Sequence, residues 1–316
     1  MAQLAADADA RRSQGVVVSI DRGLPLVRVA GQSLRAQHST GLVKNTDTRS
    51  VIGDVVDVEF PEAQDVPFIV RVHPRRTMLV RRSMVESLHE GSGRFEEQVL
   101  AANMDVVLVV ASLGKRPLDV GYLERQLVMA QQSGAEVVVV LTKADQARCL
   151  ADDCAAARAA SCGCEVIVES AVTGEGLERV ASLLAPGRCG VLFGRSGVGK
   201  STLVNELLGA PLLAVGDVRG KDRGGRHTTV ARKLVELPQG GSLIDAPGLR
   251  SLGLYGACDG LALAFSDVTG LAGGCRYRDC THTDEPDCAV KDAVDAGLLE
   301  LRRLESYRAI ADEVID

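Results

Sequence analysis

The sequence predicts three consecutive folding units: a small β-barrel, an α/β unit built on a mostly parallel sheet, and a short helical unit stapled by a metal. Three observations carry that prediction. Short strands separated by turn residues fill the first part of the chain. From Ala101 the pattern changes to β-branched runs alternating with helical periods. Three cysteines and a histidine then crowd between Cys275 and Cys288.

Bulk properties set the frame. The 316 residues suffice for two or three domains with a sizeable core. Apolar residues make up 46%, aromatics only 3% and Trp is absent, so Val, Leu, Ala and Ile must build that core. No apolar run approaches the roughly 20 residues that span a bilayer. Met1 to Gln14 is Ala- and Asp-rich without the apolar stretch of a secretory signal. No membrane partner and a cytoplasmic location are therefore expected. Nine cysteines, an odd number, argue against a disulfide framework. Outside the cluster, Cys149, Cys154, Cys162, Cys164, Cys189 and Cys258 read mostly as small buried hydrophobes, and Cys162 and Cys164 are too close to pair readily. The net charge of −6 weighs against a nucleic-acid partner. Yet Arg71–Arg82 holds five arginines and no acid, and Arg219–Lys233 six basic residues and one Asp. One such run is ordinarily a solvated face; two in an acidic chain point to a local phosphate-binding footprint.

Residues 1–14 are expected to form a disordered tail. Residues 15–75 contain Val16–Ile20, Leu26–Val29, Ser33–Gln37, Asp54–Phe60 and Phe68–Val72, each alternating or apolar, with Gly, Asp or Pro between them. A set of short strands this dense fits a small barrel, best an OB-fold, with a plain barrel spacer as the alternative. Residues 76–100 read as a connector, most flexible at Gly91-Ser92-Gly93. Residues 101–255 hold the apolar runs Val106–Val110, Val137–Leu141, Val166–Val168, Gly190–Phe193 and Leu243–Ile244. Helical stretches at Val120–Gln132 and Gln146–Ala160 separate some of them, the α/β signature. Residues 256–316 combine the Cys/His cluster with a C-terminal helix. There Leu298, Leu301, Leu304 and Tyr307 are spaced for one face, with Arg302, Arg303 and Arg308 beside them as solvating or binding charges.

Gly194-Arg195-Ser196-Gly197-Val198-Gly199-Lys200-Ser201 is a P-loop in the context it needs, after a strand and opening a helix, with Thr202 next. Its glycines let successive N–H groups turn inward as an anion nest, and the helix N-terminus adds its dipole. Lys200 would reach the β- and γ-phosphates and Ser201 would ligate Mg²⁺. Thr142-Lys143-Ala144-Asp145 sits at a strand end, where α/β sheets bind ligands. A carboxylate at Asp145 can accept from guanine N1–H and N2–H, a pair adenine does not offer. Alone, this tetrapeptide reads as a capped helix start. Ser170-Ala171, at another strand end, strengthens the base-reading role through a backbone aimed at guanine O6. Thr142 stands where such an element usually has Asn, and weaker bracing of the loop is expected. Asp245-Ala246-Pro247-Gly248 follows a strand, with Asp245 near Mg²⁺ and the Gly248 N–H sensing the γ-phosphate. Gly225-Arg226-His227-Thr228-Thr229 would be the first switch, with Thr228 or Thr229 a Mg²⁺ ligand. Leu249 occupies the place where Ras-type enzymes keep a water-orienting Gln. His227 is the candidate to position or polarise that water instead. The base-reading element precedes the P-loop, the reverse of the ordinary order. That implies a complete GTP-binding core whose chain ends have been moved. Cys275, Cys280, His282 and Cys288 supply a Cys₃His set suited to a closed, tetrahedral, structural Zn²⁺ site, with Arg276, Arg278 and Lys291 making its surroundings basic.

This ordered set resembles the ribosome small-subunit-dependent GTPase A family (RsgA, also called YjeQ) over nearly the whole chain. The resemblance implies an N-terminal OB-fold, a circularly permuted GTPase domain and a C-terminal zinc domain. It implies a late assembly factor that binds the maturing small ribosomal subunit and its rRNA, hydrolyses GTP when stimulated by it, and leaves. It also implies a hydrophobic residue at Leu249 and a water-positioning role for His227. The chain departs from the family pattern at Thr142, for Asn, and at Ala246, for the commoner Thr. The competing readings are an RNA-binding module that holds GTP without significant turnover and a P-loop kinase or ATPase, which has no use for Asp145. A monomer binding GTP and GDP is expected. Because the chain runs from Gly248 into the metal unit, γ-phosphate-dependent movement would pull on that unit through the Arg250–Gly256 tether.

Overall fold

The computed structural model describes residues 12–44, 49–61, 66–85, 94–210, 232–245, 254 and 256–315. Strand β1 (Arg12–Asp21) pairs with β5 (Val55–Glu59) from Arg12↔Glu59 to Val16↔Val55. Arg12, Ser13 and Gln14 are thus strand and not tail. Their polar side chains hide the pattern, and the pairing is supplied by β5; the rest of the expected tail lies outside the described residues. Next come β2 (Leu24–Val29), β3 (Gln32–Arg35), β4 (Gln37–His38), α1 (Thr40–Lys44) and β6 (Phe68–Val72). β2 pairs antiparallel with β1 and β3, and β5 with β1 and β6. β4, one residue past β3, pairs in parallel with β6, so the strand path closes on itself. Val17, Val27, Val29, Ala36, Leu42, Val56, Val58 and Ile69 fill this unit as a core of its own.

Where a connector was expected, β7 (Met78–Val85) and β8 (Arg94–Ala102) form an antiparallel hairpin. Its root carries Leu79, Leu100, Ala101 and Ala102, all buried, and Met78 N–H donates to the Ser133 carbonyl at 3.0 Å. The charged middle of the segment conceals the strands from a periodicity reading. Gly91-Ser92-Gly93 lies outside the described residues.

The α/β unit contains β9 (Val106–Ser112), β10 (Glu136–Thr142), β11 (Glu165–Val168), β12 (Cys189–Phe193) and β14 (Ser242–Asp245), all parallel, in the order β11-β10-β9-β12-β14. Its strands are buried on both faces, which is why they read as unbroken apolar runs. Val107 and Val109 face one core, with α2 (Val120–Gln132) and α3 (Leu150–Ala160). Val106, Leu108 and Val110 face the other, with α4 (Leu177–Leu183) and α5 (Lys200–Leu208). α3 starts four residues later than the sequence pattern placed it, because Ala144–Gln146 forms a 3₁₀ turn first. β13 (Arg232–Glu236) runs antiparallel to β14 and then pairs with β1 at Ser19↔Lys233 and Ile20↔Arg232. The barrel and the α/β sheet therefore share one hydrogen-bonded path.

The C-terminal unit has α6 (Cys258–Ala264), α7 (Ser266–Ala272), α8 (Ala289–Asp295) and α9 (Leu301–Ile315). α6 lies on α2 almost backbone to backbone: a Cβ at Gly260 would stand 2.2 Å from the Val128 carbonyl oxygen. Leu261, Phe265, Val268, Leu304, Ile310 and Val314 share one core with Leu123 and Leu127 of α2. The expected apolar face of α9 is shifted. Leu298 and Leu301 are 80% and 55% exposed, whereas Leu304, Ile310 and Val314 are buried. Arg303 is only 4% exposed. It donates to Glu124 Oε1 at 2.7 Å and Asp267 Oδ2 at 2.9 Å, and its guanidinium lies 3.9 Å from the Phe265 ring centre. Glu124, fully buried on α2, also accepts from Arg302 and Ser306. Arg303 is thus a buried clamp and not a solvating charge. Among the described residues no helix is long and apolar enough to cross a membrane.

Candidate nucleotide site and metal cluster

Loops from β12, β10 and β11 meet at the C-terminal end of the parallel sheet, the place where such sheets bind ligands. The P-loop leaves β12 and enters α5 through Gly199, whose φ of +103° is left-handed and whose Cβ, if present, would stand 3.3 Å from Thr142 Oγ1. That close approach makes a brace. Thr142 Oγ1 donates to the Val198 carbonyl, and Lys143 Nζ to the Gly197 carbonyl at 2.7 Å. The hydroxyl of Thr142 therefore ties the Thr142–Asp145 turn to the loop that precedes α5. Lys200 Nζ donates to the Gly194 and Arg195 carbonyls at 2.7 and 2.6 Å, keeping its ammonium against the loop's own backbone.

At the same Thr142–Asp145 turn, Ser170 Oγ donates to Asp145 Oδ1 at 2.8 Å, and Ala144 N–H donates to the Glu169 carbonyl at 3.1 Å. Asp145 is thereby held in place by Ser170. Glu169 itself is 2% exposed, and its Oε1 has no hydrogen-bond partner. Burial, then the negative charges of Asp145 and Glu206, push its carboxyl up to about 7. Sequence reading passed over Glu169; an acid closing the buried run Val166–Val168 is the signal that marks it.

Arg195 reaches away from the loop, stacking on Tyr122 at 3.6 Å and pairing with Asp119 at 3.1 Å. Asp119 in turn caps α2 by accepting from Tyr122 N–H at 3.1 Å. Ser196, Ser201 and Thr202 lie in or just past the loop. Asp245 ends β14 beside β12, through Val191↔Ile244. His227, Thr228, Thr229, Ala246, Gly248 and Leu249 lie outside the described residues. Of the first arginine run, Arg75 is tied to buried Asp54 at 2.8 Å and Arg76 to Asp105 at 3.3 Å, so both serve the fold.

The structure brings the four soft ligands together. Cys275 Sγ lies 3.8 Å from Cys288 Sγ and 3.6 Å from His282 Nδ1, Cys288 Sγ lies 3.4 Å from His282 Nδ1, and all four ligand atoms fall within 4.8 Å of one another. A tetrahedral ion with metal–sulfur bonds of about 2.3 Å requires ligand–ligand edges of about 3.8 Å, so the spacing fits one such ion. Glu285 organises the intervening loop. It accepts from the Thr281 hydroxyl at 2.6 Å, Thr281 N–H at 2.7 Å and Thr283 N–H at 2.8 Å, and the Thr281 hydroxyl foremost pulls its carboxyl down to about 2. Arg276 pairs with Asp287 at 2.9 Å, which neutralises part of the expected basic rim.

Comparison with known proteins agrees with this geometry. The RsgA GTPase family model matches residues 72–255. The Small ribosomal subunit biogenesis GTPase RsgA of Streptomyces avermitilis is 44% identical over 95% of this chain and 79% of its own length. Its namesake from Streptomyces coelicolor is 44% identical over 95% and 80%. YjeQ from Thermotoga maritima has the same fold, with a TM-score of 0.70 at 24% identity over 95% of this chain and 98% of its own. YloQ, a circularly permuted GTPase, superimposes with a TM-score of 0.66 at 19% identity over 95% and 94%. The chain belongs to the RsgA GTPase family.

Proposed function

We propose that this protein is a GTP hydrolase of small-ribosomal-subunit biogenesis, stimulated by the particle it helps to mature and released after hydrolysis. One observation carries the nucleotide part. Asp145, bonded to Ser170, belongs to a turn whose Thr142 and Lys143 are directly bonded to the P-loop backbone. In this reading Gly194–Thr202 hold the phosphates, Lys143, Ala144, Asp145, Ser170 and Ala171 hold the guanine, and Ser201, Asp245 and Thr228 or Thr229 hold Mg²⁺. Gly248 senses the γ-phosphate and His227 positions the attacking water. The kinship with curated relatives that bear the small-subunit biogenesis name supports the ribosomal part.

Several finer assignments belong to the same proposal. The closed strand path of β1–β6 supports an OB-fold that offers an rRNA-binding face. Three thiolates beside one imidazole favour Zn²⁺ as the ion of the Cys₃His cluster, where it would staple the loop between α7 and α8 and leave no ligand position open. A cytoplasmic monomer is the form in which this cycle would run.

The test is GTP turnover with and without purified small ribosomal subunits, for the wild type and His227→Ala. Strong stimulation is expected, with the variant losing about 100-fold in stimulated rate while still binding GTP, the usual scale for a group that handles a proton or water. Absence of stimulation would favour a module that binds GTP without turnover, the reading that Leu249 supports.

A further inference from the structure

The carboxyl of Glu169 is buried beneath the base-reading loop with one oxygen unsatisfied, and nothing in the roles assigned above uses it. Its backbone is fixed on both sides. Glu169 N–H donates to the Leu141 carbonyl at 2.8 Å, and its carbonyl accepts from Ala144 at 3.1 Å. It therefore sits between the end of β10 and the turn that presents Asp145, directly before Ser170, which holds Asp145. The charged groups facing it are Asp145 from that turn and Glu206 from α5. Lys143, the cation of the same turn, directs its ammonium to the Gly197 carbonyl. From the loop after Ser170, Glu175 contributes its backbone carbonyl to Ser170 N–H at 3.1 Å.

Burial, an orphaned oxygen and a nearby carboxylate all favour the protonated form of such an acid. Its ionised form would place a second negative charge next to the one that must read the guanine edge. A base seated over Asp145 excludes water from the same region and strengthens that repulsion. We propose that Glu169 is a positioning residue that must be neutral for the guanine-reading loop to hold its nucleotide tightly, so that guanine-nucleotide binding is linked to uptake of a proton. This rests on the reading in which Asp145 meets a guanine base. The sign follows from linkage. Burial and Asp145 raise the proton affinity of Glu169 in the nucleotide-free protein to about 7, and the bound nucleotide raises it further. Affinity is then greatest below neutrality and declines as pH rises through and above it.

The test is the Kd for GDP, measured by calorimetry from pH 6 to 8.5 on the full-length wild type, Glu169→Gln and Glu169→Met. Titration of the GDP phosphate is common to all three and cancels in their ratios. The wild-type Kd relative to that of Glu169→Gln is expected to rise by about fivefold from pH 6 to 8, with Glu169→Met behaving like Glu169→Gln. A ratio that stays constant with pH, or a Glu169→Gln variant that binds weakly at every pH, overturns the proposal. If neither variant folds, wild-type heats at pH 7.5 in buffers of different ionisation enthalpy report proton uptake directly, and zero uptake overturns it. A wild type that binds GDP no better than ADP at any pH would instead bring down the guanine assignment of Asp145 itself.

Discussion

The barrel and the C-terminal unit are both joined to the nucleotide core, but by different physics. The barrel keeps an apolar core of its own and meets the α/β unit through main-chain hydrogen bonds at Ser19↔Lys233 and Ile20↔Arg232, through the Arg28–Glu236 ion pair, and through Ile52, which is buried in the α/β core and whose carbonyl accepts from Ala102 N–H at 3.0 Å. Among the described residues, the apolar core of the C-terminal unit is the one it shares with α2. Phe265, Leu304 and Ile310 pack with Leu123 and Leu127, while Arg303 and Glu124 lock the same surface. A docking made mostly of backbone pairs, one partly exposed ion pair and a single buried side chain, Ile52, can be altered in small steps. A shared core cannot be opened without exposing the interior of the nucleotide unit. This also revises the expectation for the chain between the second switch and Gly256: α6 and α9 are held on α2 by packing, so the tether is not the sole link between metal unit and nucleotide site.

Three changes would break or sharpen this contrast. Emptying or breaking the Cys₃His cluster should have the largest effect, because a structural Zn²⁺ held there, as proposed, would contribute on the order of 10 kcal/mol of apparent binding free energy. Chelation, or Cys288→Ser, should lower the melting temperature and expose the amides of α8 and α9 to hydrogen exchange, with protection also lost in α2. Loss confined to α8 and α9 would show that the C-terminal unit folds apart from the core. Glu124→Ala comes next. It leaves the buried Arg303 with Asp267 as its one remaining carboxylate among the described residues, so the loss should approach the about 3–5 kcal/mol of a buried pair broken from one side without exceeding it; urea unfolding measures it, and a loss under 1 kcal/mol would mean the clamp is incidental. Arg28→Ala should be smallest. Partly exposed ion pairs contribute about 0–1 kcal/mol, so global stability should hardly move while amide exchange at Ser19 and Ile20 quickens.

The same contrast explains what the sequence disclosed. The P-loop and the Thr142–Asp145 element are short local strings, and the Cys/His ligands lie between Cys275 and Cys288, where the structure brings their ligand atoms within 4.8 Å of one another. The apolar runs of β9–β12 were equally plain, because a strand buried on both faces leaves no alternation to misread. What stayed hidden depends on partners far along the chain. Arg303 and Glu124 are separated by 179 positions, and a buried arginine looks like any solvated one until its acid is found. The brace from Thr142 to Val198 spans 56 positions, so reading the tetrapeptide by itself could only register a missing Asn. The β7–β8 hairpin escaped because its charged residues lack the alternation of a strand packed on one side.

The pairing of β1 with β13 has a consequence beyond attachment. Without the barrel, the outer side of β13 would present unpaired N–H and C=O groups, which recruit further strands and seed aggregation. β1 divides one of its sides between two partners, giving Arg12–Val16 to β5 and Ser19–Ile20 to β13, and so shields this end of the parallel sheet. At the other end the shield is chemical: β11 is four residues long, and its Glu165 is gripped by Arg179 with two contacts of 2.7 Å. One side of the nucleotide core is thus protected by charge and brevity, and the other by a neighbouring domain, which makes the barrel a guardian of solubility as well as a candidate RNA-binding surface.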